Sequence, residues 1–298
     1  MAFMASADSP LPRALQRPAL AELDNALKHL AHQPTRVDVH EARKSCKRLR
    51  AWLRLLRDDI GPDVEAARIL VRDAGRALSV RRDLEVALST LRQLRGSRVL
   101  SSAQWRGIES AVRRGMQRRA RGAARGTEHR ALDLLRGARR MIEQWPADDV
   151  TPDRVLKAVR RGYKRARKGW GRCSSHSPAA ALHEWRKRTK MHYYQSVLLS
   201  RRWKALDGPR ALALDALSEL LGKHHDLEVL RVGIGTLPLR HRKSERVTRV
   251  LDVMVDRERR LAHRAMRAGA DVFAQAPRDW LQEIQTSPPA PRHQIAIA

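Results

Sequence analysis

The chain has 298 residues, of which 42% are hydrophobic and only 4% aromatic, a composition that can build an aliphatic core and excludes disorder throughout. Its 61 Lys and Arg against 32 Asp and Glu give a formal net charge of +29. Because so large a charge opposes compaction by self-repulsion, the composition favours a polyanionic partner such as DNA, RNA, an anionic membrane surface or inorganic polyphosphate.

Apolar residues recur at spacings of three and four along most of the chain, which is typical of amphipathic helices, and no run alternates as a strand would. The predicted fold class is therefore all-α. Glycine and proline breaks divide the pattern into eight predicted helices, over residues 13–32, 37–59, 63–95, 100–145, 152–169, 180–204, 210–235 and 240–275. We expect flexible tails at both ends, over residues 1–12 and 285–298.

The two cysteines, Cys46 and Cys173, are far apart and belong to no CxxC motif. This usage gives no disulfide framework and fits a reducing, cytoplasmic location. The N-terminal residues lack the pattern of a signal peptide, and no segment approaches the roughly 18 apolar residues of a membrane span. We therefore expect no membrane insertion.

The frame H-E-x-R-K-x-x-K occurs twice, as HEARKSCK from His40 and as HEWRKRTK from His183. The offset of 143 residues that superposes these copies also superposes DLEV at Asp83 on DLEV at Asp226, without a gap. Two motifs that share one offset indicate an internal duplication. We predict two four-helix halves packed against each other, residues 13–145 and 146–284.

On a helix, the first copy places a histidine and five cations along one face. These residues are His40, Arg43, Lys44, Lys47, Arg50 and Arg54. Leu49 and Trp52 fall on the opposite face, which therefore packs into the core. Like charges four residues apart cost about 0.2–0.5 kcal/mol per pair in an isolated helix, and a bound anion would remove that cost.

The second copy repeats the front of this stripe and then becomes less charged. Its cationic part consists of His183, Arg186, Lys187 and Lys190, after which two tyrosines follow. The hydroxyl of Tyr194 can still donate to a phosphate oxygen. The preceding run RRGYKRARK carries Arg161, Lys164, Arg165 and Lys168 on neighbouring helical turns, and it is predicted to line one basic groove together with this stripe.

Known catalytic and metal-binding motifs do not fit these residues. The metalloprotease motif HExxH fails because Lys44 and Lys187 stand where its second histidine belongs. His225-Asp226 corresponds to Arg82-Asp83 in the first half, and arginine is not a metal ligand. Phosphate-binding loops and nucleophile elbows are also absent from the sequence. We therefore predict no enzymatic activity, metal or cofactor. One further hypothesis, besides the two binding functions given below, is an enzyme that cleaves polyphosphate through the motif histidines.

The doubled motifs resemble those of the CHAD family, the conserved-histidine α-helical domains. The segments that carry the resemblance are HEARKSCKRLR, LSVRRDLEV, HEWRKRTKMHYY and LGKHHDLEV. The resemblance implies two pseudo-symmetric four-helix bundles around a central basic groove or pore that binds polyphosphate, and it adds Arg82 to the site. Because the chain lacks the ExExK motif of the CYTH triphosphatases that often accompany this family, it resembles a stand-alone member. His225 and the Tyr193-Tyr194 pair depart from the family pattern, so the two halves need not contribute equally.

Polyphosphate binding is the leading functional hypothesis, with polyphosphate granules in the cytoplasm as a candidate location. Several Arg and Lys side chains in one groove form charge-assisted hydrogen bonds with phosphate oxygens, and Arg can do so bidentately. Nucleic acids are expected to be weaker partners. The alternative is a general nucleic-acid-binding or nucleoid-associated protein, although the sequence contains no known motif for reading bases.

Overall fold

The computed structural model describes residues 11–121, 126–145 and 150–287, and all its regular elements are helical, which confirms the predicted all-α class. The α-helices are α1 (Leu11–Leu30), α2 (Arg36–Ile60), α3 (Pro62–Ala77), α4 (Ser79–Leu94), α5 (Ser102–Arg121), α6 (Thr127–Glu143), α7 (Pro152–Trp170), α8 (Ala179–Leu199), α9 (Pro209–Gly235), α10 (Leu239–Arg242), α11 (Glu245–Val272) and α12 (Pro277–Thr286). Short 3-10 turns lie at Arg95–Ser97 and Lys204–Leu206.

The ends of α2, which carries the first repeat motif, are fixed by local chemistry. The hydroxyl of Thr35 accepts a hydrogen bond from the backbone N–H of Asp38, and the Asp38 carboxylate accepts one from the N–H of Thr35 at 2.9 Å. This reciprocal capping box satisfies two N–H groups at the helix start. Gly61 ends α2 with φ at 76°, a conformation that favours glycine, and Pro62 begins α3 directly after it.

Two long predicted helices are each divided in the structure. The predicted helix 63–95 is α3 followed by α4, with the buried Leu78 between them. The predicted helix 100–145 is α5 and α6; Gly126, just before α6, takes φ at 74°, and residues 122–125 lie outside the described residues.

The C-terminal region also differs from the prediction, because 240–275 contains most of α10 and all of α11, and α12 was not predicted. The predicted tails lie mostly outside the described residues, but α1 begins at Leu11 and α12 runs to Thr286. Regular helix therefore covers two residues of each predicted tail.

One large core joins the two predicted halves. Helices α1, α2, α3 and α6 pack together, and the same apolar core continues through α7, α8 and the first part of α9. The repeat helices α2 and α8 pack directly on each other, and Gln195 Nε2 donates a hydrogen bond to the Ala51 carbonyl at 3.0 Å. The two helices that carry the copies of the motif therefore lie side by side.

A second core also contains helices of both halves. Leu88 and Leu91 of α4 and Trp105 of α5 pack with Leu230 of α9 and Met254 of α11. Helices α4 and α5 thus leave the first bundle and cover apolar surface of the second half. Both cores are shared, so neither half encloses a separate core of its own.

Small residues allow α7, α8 and α11 to approach closely. Trp185 of α8 is fully buried, and a Cβ added to Gly269 would lie 2.9 Å from its Cζ2 atom. Helix α12 is anchored by Trp280, whose ring stacks on Tyr163 with 4.6 Å between centroids. Across the described ranges, no helix has the length and apolar character needed to cross a membrane.

Candidate polyanion-binding site

A cavity of about 600 Å³ lies between α2, α7 and α8. Its lining contains twelve Lys or Arg side chains and one carboxylate, that of Glu184. The cations are Lys47, Arg50, Arg54, Arg57, Arg161, Arg165, Lys168, Arg172, Arg186, Lys187, Arg188 and Lys190. So many charges of one sign within a concave, partly desolvated space create a strongly positive potential that attracts anions.

Helices α2 and α7 face each other across this cavity. Burial, followed by the positive charge of Arg165 on α7, lowers the pKa of Arg54 on α2. Gly162 brings α7 close to α8, since a Cβ at this position would overlap Oε1 of Gln195. The closely packed helices α7 and α8 form one side of the cavity, and Arg161 and Arg165 of α7 line it.

The wall formed by α8 is partly neutralised by carboxylates. Lys190 Nζ lies 2.9 Å from Asp215 Oδ1 of α9 and 4.3 Å from the ring centroid of Tyr193. Lys187 forms an ion pair with Glu184 one turn earlier on the same helix. Because two of its lysines are paired with carboxylates, the α8 wall has a smaller net positive charge than its number of Lys and Arg residues would give.

Lys47 is the cavity residue whose surroundings are most unfavourable for a positive charge. Burial, and then repulsion from Arg82, Arg43 and Arg186, lower the pKa of Lys47 to about 7. Among the described residues, no carboxylate lies within ion-pair distance of its ammonium group. A phosphate oxygen bound here would supply the missing negative charge.

Nine of the fifteen predicted site residues line the cavity: Lys47, Arg50, Arg54, Arg161, Arg165, Arg186, Lys187, Lys190 and Tyr194. Six others do not: His40, Arg43, Lys44, Arg82, Lys164 and His183.

Of these six residues, two bind other groups of the protein through their side chains, and a third is exposed to solvent. Lys44 Nζ lies 3.3 Å from Glu41 Oε2, Arg43 Nη1 donates to the Gly75 carbonyl at 2.8 Å, and Lys164 is exposed. The structure therefore brings the middle and end of the first stripe to the cavity, but not its beginning.

The motif histidines lie in surroundings that favour neutral imidazole. Burial, and then Arg82, lower the pKa of His40, and burial, and then Lys187, lower that of His183. The rings of His183 and His225 lie 4.1 Å apart, and burial together with His183 lowers the pKa of His225 to about 3. At neutral pH these residues are therefore neutral and add no positive charge.

The first residues of the two DLEV copies lie among the arginines of both motifs. Burial raises the pKa of Asp83, and the charges of Arg43 and Arg82 oppose that rise. Burial likewise raises the pKa of Asp226, against the opposing effect of Arg82 and Arg186. Arg82 of α4 therefore lies within electrostatic reach of both repeat copies, although it does not line the cavity.

The chemistry available at this site is anion binding by N–H donors. In the ranges that the structure describes, no three His, Cys, Asp or Glu side chains form a group that could hold a metal ion. Cys46 lies beside the motif cations, but burial raises the pKa of its thiol to about 12, so the thiol stays protonated at neutral pH.

Sequence reasoning missed some of the lining residues. Arg57 lies one turn beyond Arg54 on α2, and extending the helical period by one turn would have included it. Arg172 lies just beyond the end of α7, after the predicted run that contains Arg161, Arg165 and Lys168. Arg188 and Gln195 carry no such signal, because they reach the cavity only through the packing of α8 against α7.

Fold and site together define an all-helical protein whose two repeat helices border one cationic cavity. The model of the CHAD domain family matches residues 17–232, well over half of the chain. The chain therefore belongs to the CHAD family, which confirms the family indicated by the sequence motifs. This family is associated with polyphosphate binding in general.

A solved structure supports the same fold. The chain is similar to the crystal structure of the CHAD domain from the plant Ricinus communis, with 20% sequence identity and a TM-score of 0.63. The similarity covers 97% of this chain and 96% of that one, so it extends to α11 and beyond the end of the family match. No curated protein matches the chain.

Proposed function

We propose that this protein binds inorganic polyphosphate in the cavity between α2, α7 and α8, without cleaving it. The observation that carries the proposal is the convergence of twelve cations and a single carboxylate on one space of about 600 Å³. Ligand sites of ~300–1,000 Å³ typically hold small or flexible ligands. A cavity of this size therefore suits a few phosphate groups of a thin chain, whereas a nucleic-acid duplex would lie across its opening.

The chemistry of the lining matches that of a phosphate chain. Polyphosphate is charged along its whole length and has no bases, so it offers phosphate oxygens alone. Arg165 and Arg54 can each present two parallel N–H groups to such oxygens. Binding would release condensed counterions, so the affinity should fall steeply as the salt concentration rises.

We infer that residues 13–145 and 146–284 are two pseudo-symmetric halves, of which the first contains a four-helix bundle of α1, α2, α3 and α6. The offset of 143 residues equates Lys47 with Lys190 and Arg50 with Tyr193, and both lysines line the same cavity. In this arrangement α2 and α8 provide corresponding walls, and the wall of α2 carries more of the charge.

We also propose that the protein acts in the cytoplasm and that polyphosphate recruits it to granules. Both cysteines are free, in keeping with a reducing compartment. A fluorescent fusion should concentrate on granules, and it should disperse when Arg54 and Arg165 are replaced by alanine. Equal granule labelling by the parent and the double variant would contradict recruitment through this cavity.

General nucleic-acid binding is the second candidate. It is favoured by cations exposed outside the cavity, such as Arg114, Arg118 and Arg119 on α5. Such a surface provides phosphate contacts that do not depend on an enclosed site.

A competition experiment separates the two candidates. Labelled polyphosphate of defined length is titrated at about 0.15 M salt, where exposed charges are substantially screened, with duplex DNA and tRNA as competitors. We expect polyphosphate to bind more tightly than DNA by at least tenfold, and Arg54→Ala/Arg165→Ala to lose most of that preference.

The matched control is Arg118→Ala/Arg119→Ala, which removes the same charge from α5 outside the cavity. It should weaken DNA binding at least as much as polyphosphate binding. If both double variants weaken both ligands equally, the charge acts diffusely and the nucleic-acid candidate is preferred. A separate incubation with Mg²⁺ or Mn²⁺ should leave the polyphosphate chain length unchanged.

A further inference from the structure

A smaller cavity of about 160 Å³ adjoins the main one on the side of α3. It defines the α2/α3 groove, and Lys47 and Arg50 line both this groove and the main cavity. The cations of the groove are Arg43, Lys47, Arg50, Arg72 and Arg76. A phosphate chain that fills the main cavity can therefore continue past Lys47 into a second cationic space.

Among these groove cations, Arg72 and Arg76 contact a carboxylate. Arg72 Nε donates to Asp73 Oδ1 at 2.8 Å, and Arg76 Nη1 lies 3.6 Å from the same oxygen. Arg43 is held by the Gly75 carbonyl, which is neutral. The five lining cations give the α2/α3 groove a formal charge of +5, which the neighbouring Asp73 reduces to +4.

The internal repeat supplies a direct comparison for this groove. Adding 143 to each number gives the corresponding residues of α8 and α9, which we call the α8/α9 face: Arg186, Lys190, Tyr193, Asp215 and Glu219. Two arginines of α3 thus correspond to two carboxylic acids of α9, and the arginine at position 50 corresponds to a tyrosine. The formal charge of these five residues is zero, against +5 for the five cations that line the α2/α3 groove.

The acidic residues of the α8/α9 face, Asp215 and Glu219, act on the neighbouring Lys190 and Tyr193. Asp215 Oδ1 lies 2.9 Å from Lys190 Nζ, the counterpart of Lys47. Burial, and then the negative charges of Asp215 and Glu219, raise the pKa of the Tyr193 phenol. A phosphate group entering here would have to displace Asp215 from Lys190 and approach two carboxylates, whereas Lys47 has no such partner among the described residues.

We propose that the polyphosphate path is one-sided: it runs from the main cavity into the α2/α3 groove, and Asp215 and Glu219 exclude it from the α8/α9 face. These two residues thereby determine specificity, because they limit the length of chain that the site can hold. The inference rests on polyphosphate binding in the main cavity. It adds which groove the bound polyphosphate enters from the main cavity, and which residues determine that choice.

Reciprocal charge exchanges test this path. Asp215→Arg/Glu219→Arg gives α9 the charges of α3, and Arg72→Asp/Arg76→Glu gives α3 the charges of α9. The measurements are the polyphosphate affinity and the slope of log K against log salt, for chains of increasing length. Each phosphate contact contributes ~0.7–0.9 to that slope, so we expect the first variant to steepen it by about 2 and the second to flatten it by about 2. The first variant should also gain affinity from longer chains that no longer improve binding by the parent.

The control for charge alone is Asp252→Arg/Asp256→Arg, an identical change at two exposed positions of α11 outside both cavities. A circular dichroism melt checks the folding of every variant. If an exchange variant does not fold, Asp215→Asn/Glu219→Gln removes the two charges with little change in size and should steepen the slope by a smaller amount.

The one-sided path is wrong if Arg72→Asp/Arg76→Glu binds as tightly as the parent. It is equally wrong if the Asp215 and Glu219 variants behave like the α11 control. Failure of the proposed function gives a different result, since the parent itself would then show no preference for polyphosphate over DNA. If Arg54→Ala/Arg165→Ala abolishes that preference while both exchanges have no effect, polyphosphate binding in the main cavity is retained and the one-sided path is rejected.

Discussion

Lys47 shows how the position of a single residue in the fold changes its chemistry. In the sequence it is one of the cations of the first repeat motif, and in the structure it is half-buried and surrounded by Arg43, Arg82, Arg186 and Lys190. Because burial and repulsion bring its pKa to about 7, a substantial fraction of Lys47 is neutral near physiological pH. Binding of an anion must therefore be accompanied by uptake of a proton.

This coupling predicts a pH dependence of polyphosphate binding. Below pH 7 Lys47 is already charged in the free protein, so it adds no pH dependence there. Above pH 7 the bound state retains a proton that the free state has lost, so we expect the affinity to fall with rising pH, by up to about tenfold per pH unit. Isothermal titration calorimetry in buffers of different ionisation enthalpy measures the proton uptake.

The control for this prediction is Lys47→Arg, because arginine keeps its charge across this pH range. It should bind polyphosphate with a nearly constant affinity between pH 7 and pH 9. An equal decline in affinity in the parent and in this variant would show that another group is responsible.

The sequence could predict the matched residues Lys47 and Lys190, but not their different surroundings. Their common place in the repeat follows from the offset of 143 residues. The carboxylate that pairs with Lys190 belongs to Asp215, on another helix, and its proximity depends on how α8 packs against α9. No local pattern encodes such a contact, so sequence reasoning treated the two lysines as equivalent.

At the scale of the element, the first turn of α2 determines the position of the motif helix. The capping box joins Thr35 and Asp38, and the hydrogen bonds of Thr35 and His29 lower the pKa of Asp38 to about 2. Since this pKa is below that of the unfolded chain, the stabilisation is present above pH 4 and is lost as the pH falls through about 2.

We predict that Thr35→Ala lowers the free energy of unfolding by about 1 kcal/mol, as is typical for removal of an N-cap hydroxyl. The loss should be largest near neutral pH and smaller in acid, where Asp38 becomes protonated. Urea denaturation at pH 7 and at about pH 2 measures it. Thr35→Ser keeps the hydroxyl and should retain most of the stability; if it is as unstable as the alanine variant, the cap is not the cause.

The sequence predicted helices 63–95 and 100–145 as single elements, but each is divided into two helices in the structure. Between α3 and α4 the apolar period continues without glycine or proline at Leu78, so the sequence favoured one helix from 63 to 95. The break becomes understandable only in three dimensions, since α3 packs on the first bundle and α4 on α9 and α5. The break before α6 has a local signal, because Gly126 adopts a positive φ.

At the scale of the whole molecule, the two halves depend on each other. Both cores contain residues of each half, and α4 and α5 of the first half cover the end of α9. The helical period was sufficient to predict the all-α class, because it reflects local geometry. It could not predict shared cores, because an apolar face does not specify which helix will cover it.

Fragments 1–145 and 146–298 provide a test of this dependence. Expressed alone, each should expose the apolar faces of the second core, bind a hydrophobic dye and lack a cooperative melt. Co-expression should restore a complex with a single unfolding transition. A cooperative melt of either fragment alone would mean that the shared cores are not needed for folding.

The cation-rich cavity also determines how the empty protein responds to ordinary salt. Twelve like charges around one space repel each other, and dissolved ions weaken that repulsion. Sodium chloride should therefore act in two opposite directions: between 0.05 and 0.5 M it should raise the melting temperature of the free protein while it weakens polyphosphate binding. Arg54→Ala/Arg165→Ala, with two fewer charges, should melt at a temperature that depends less on salt. Differential scanning calorimetry of the free protein and of this variant would then measure how much the repulsion among the cavity cations destabilises the fold in the absence of an anion.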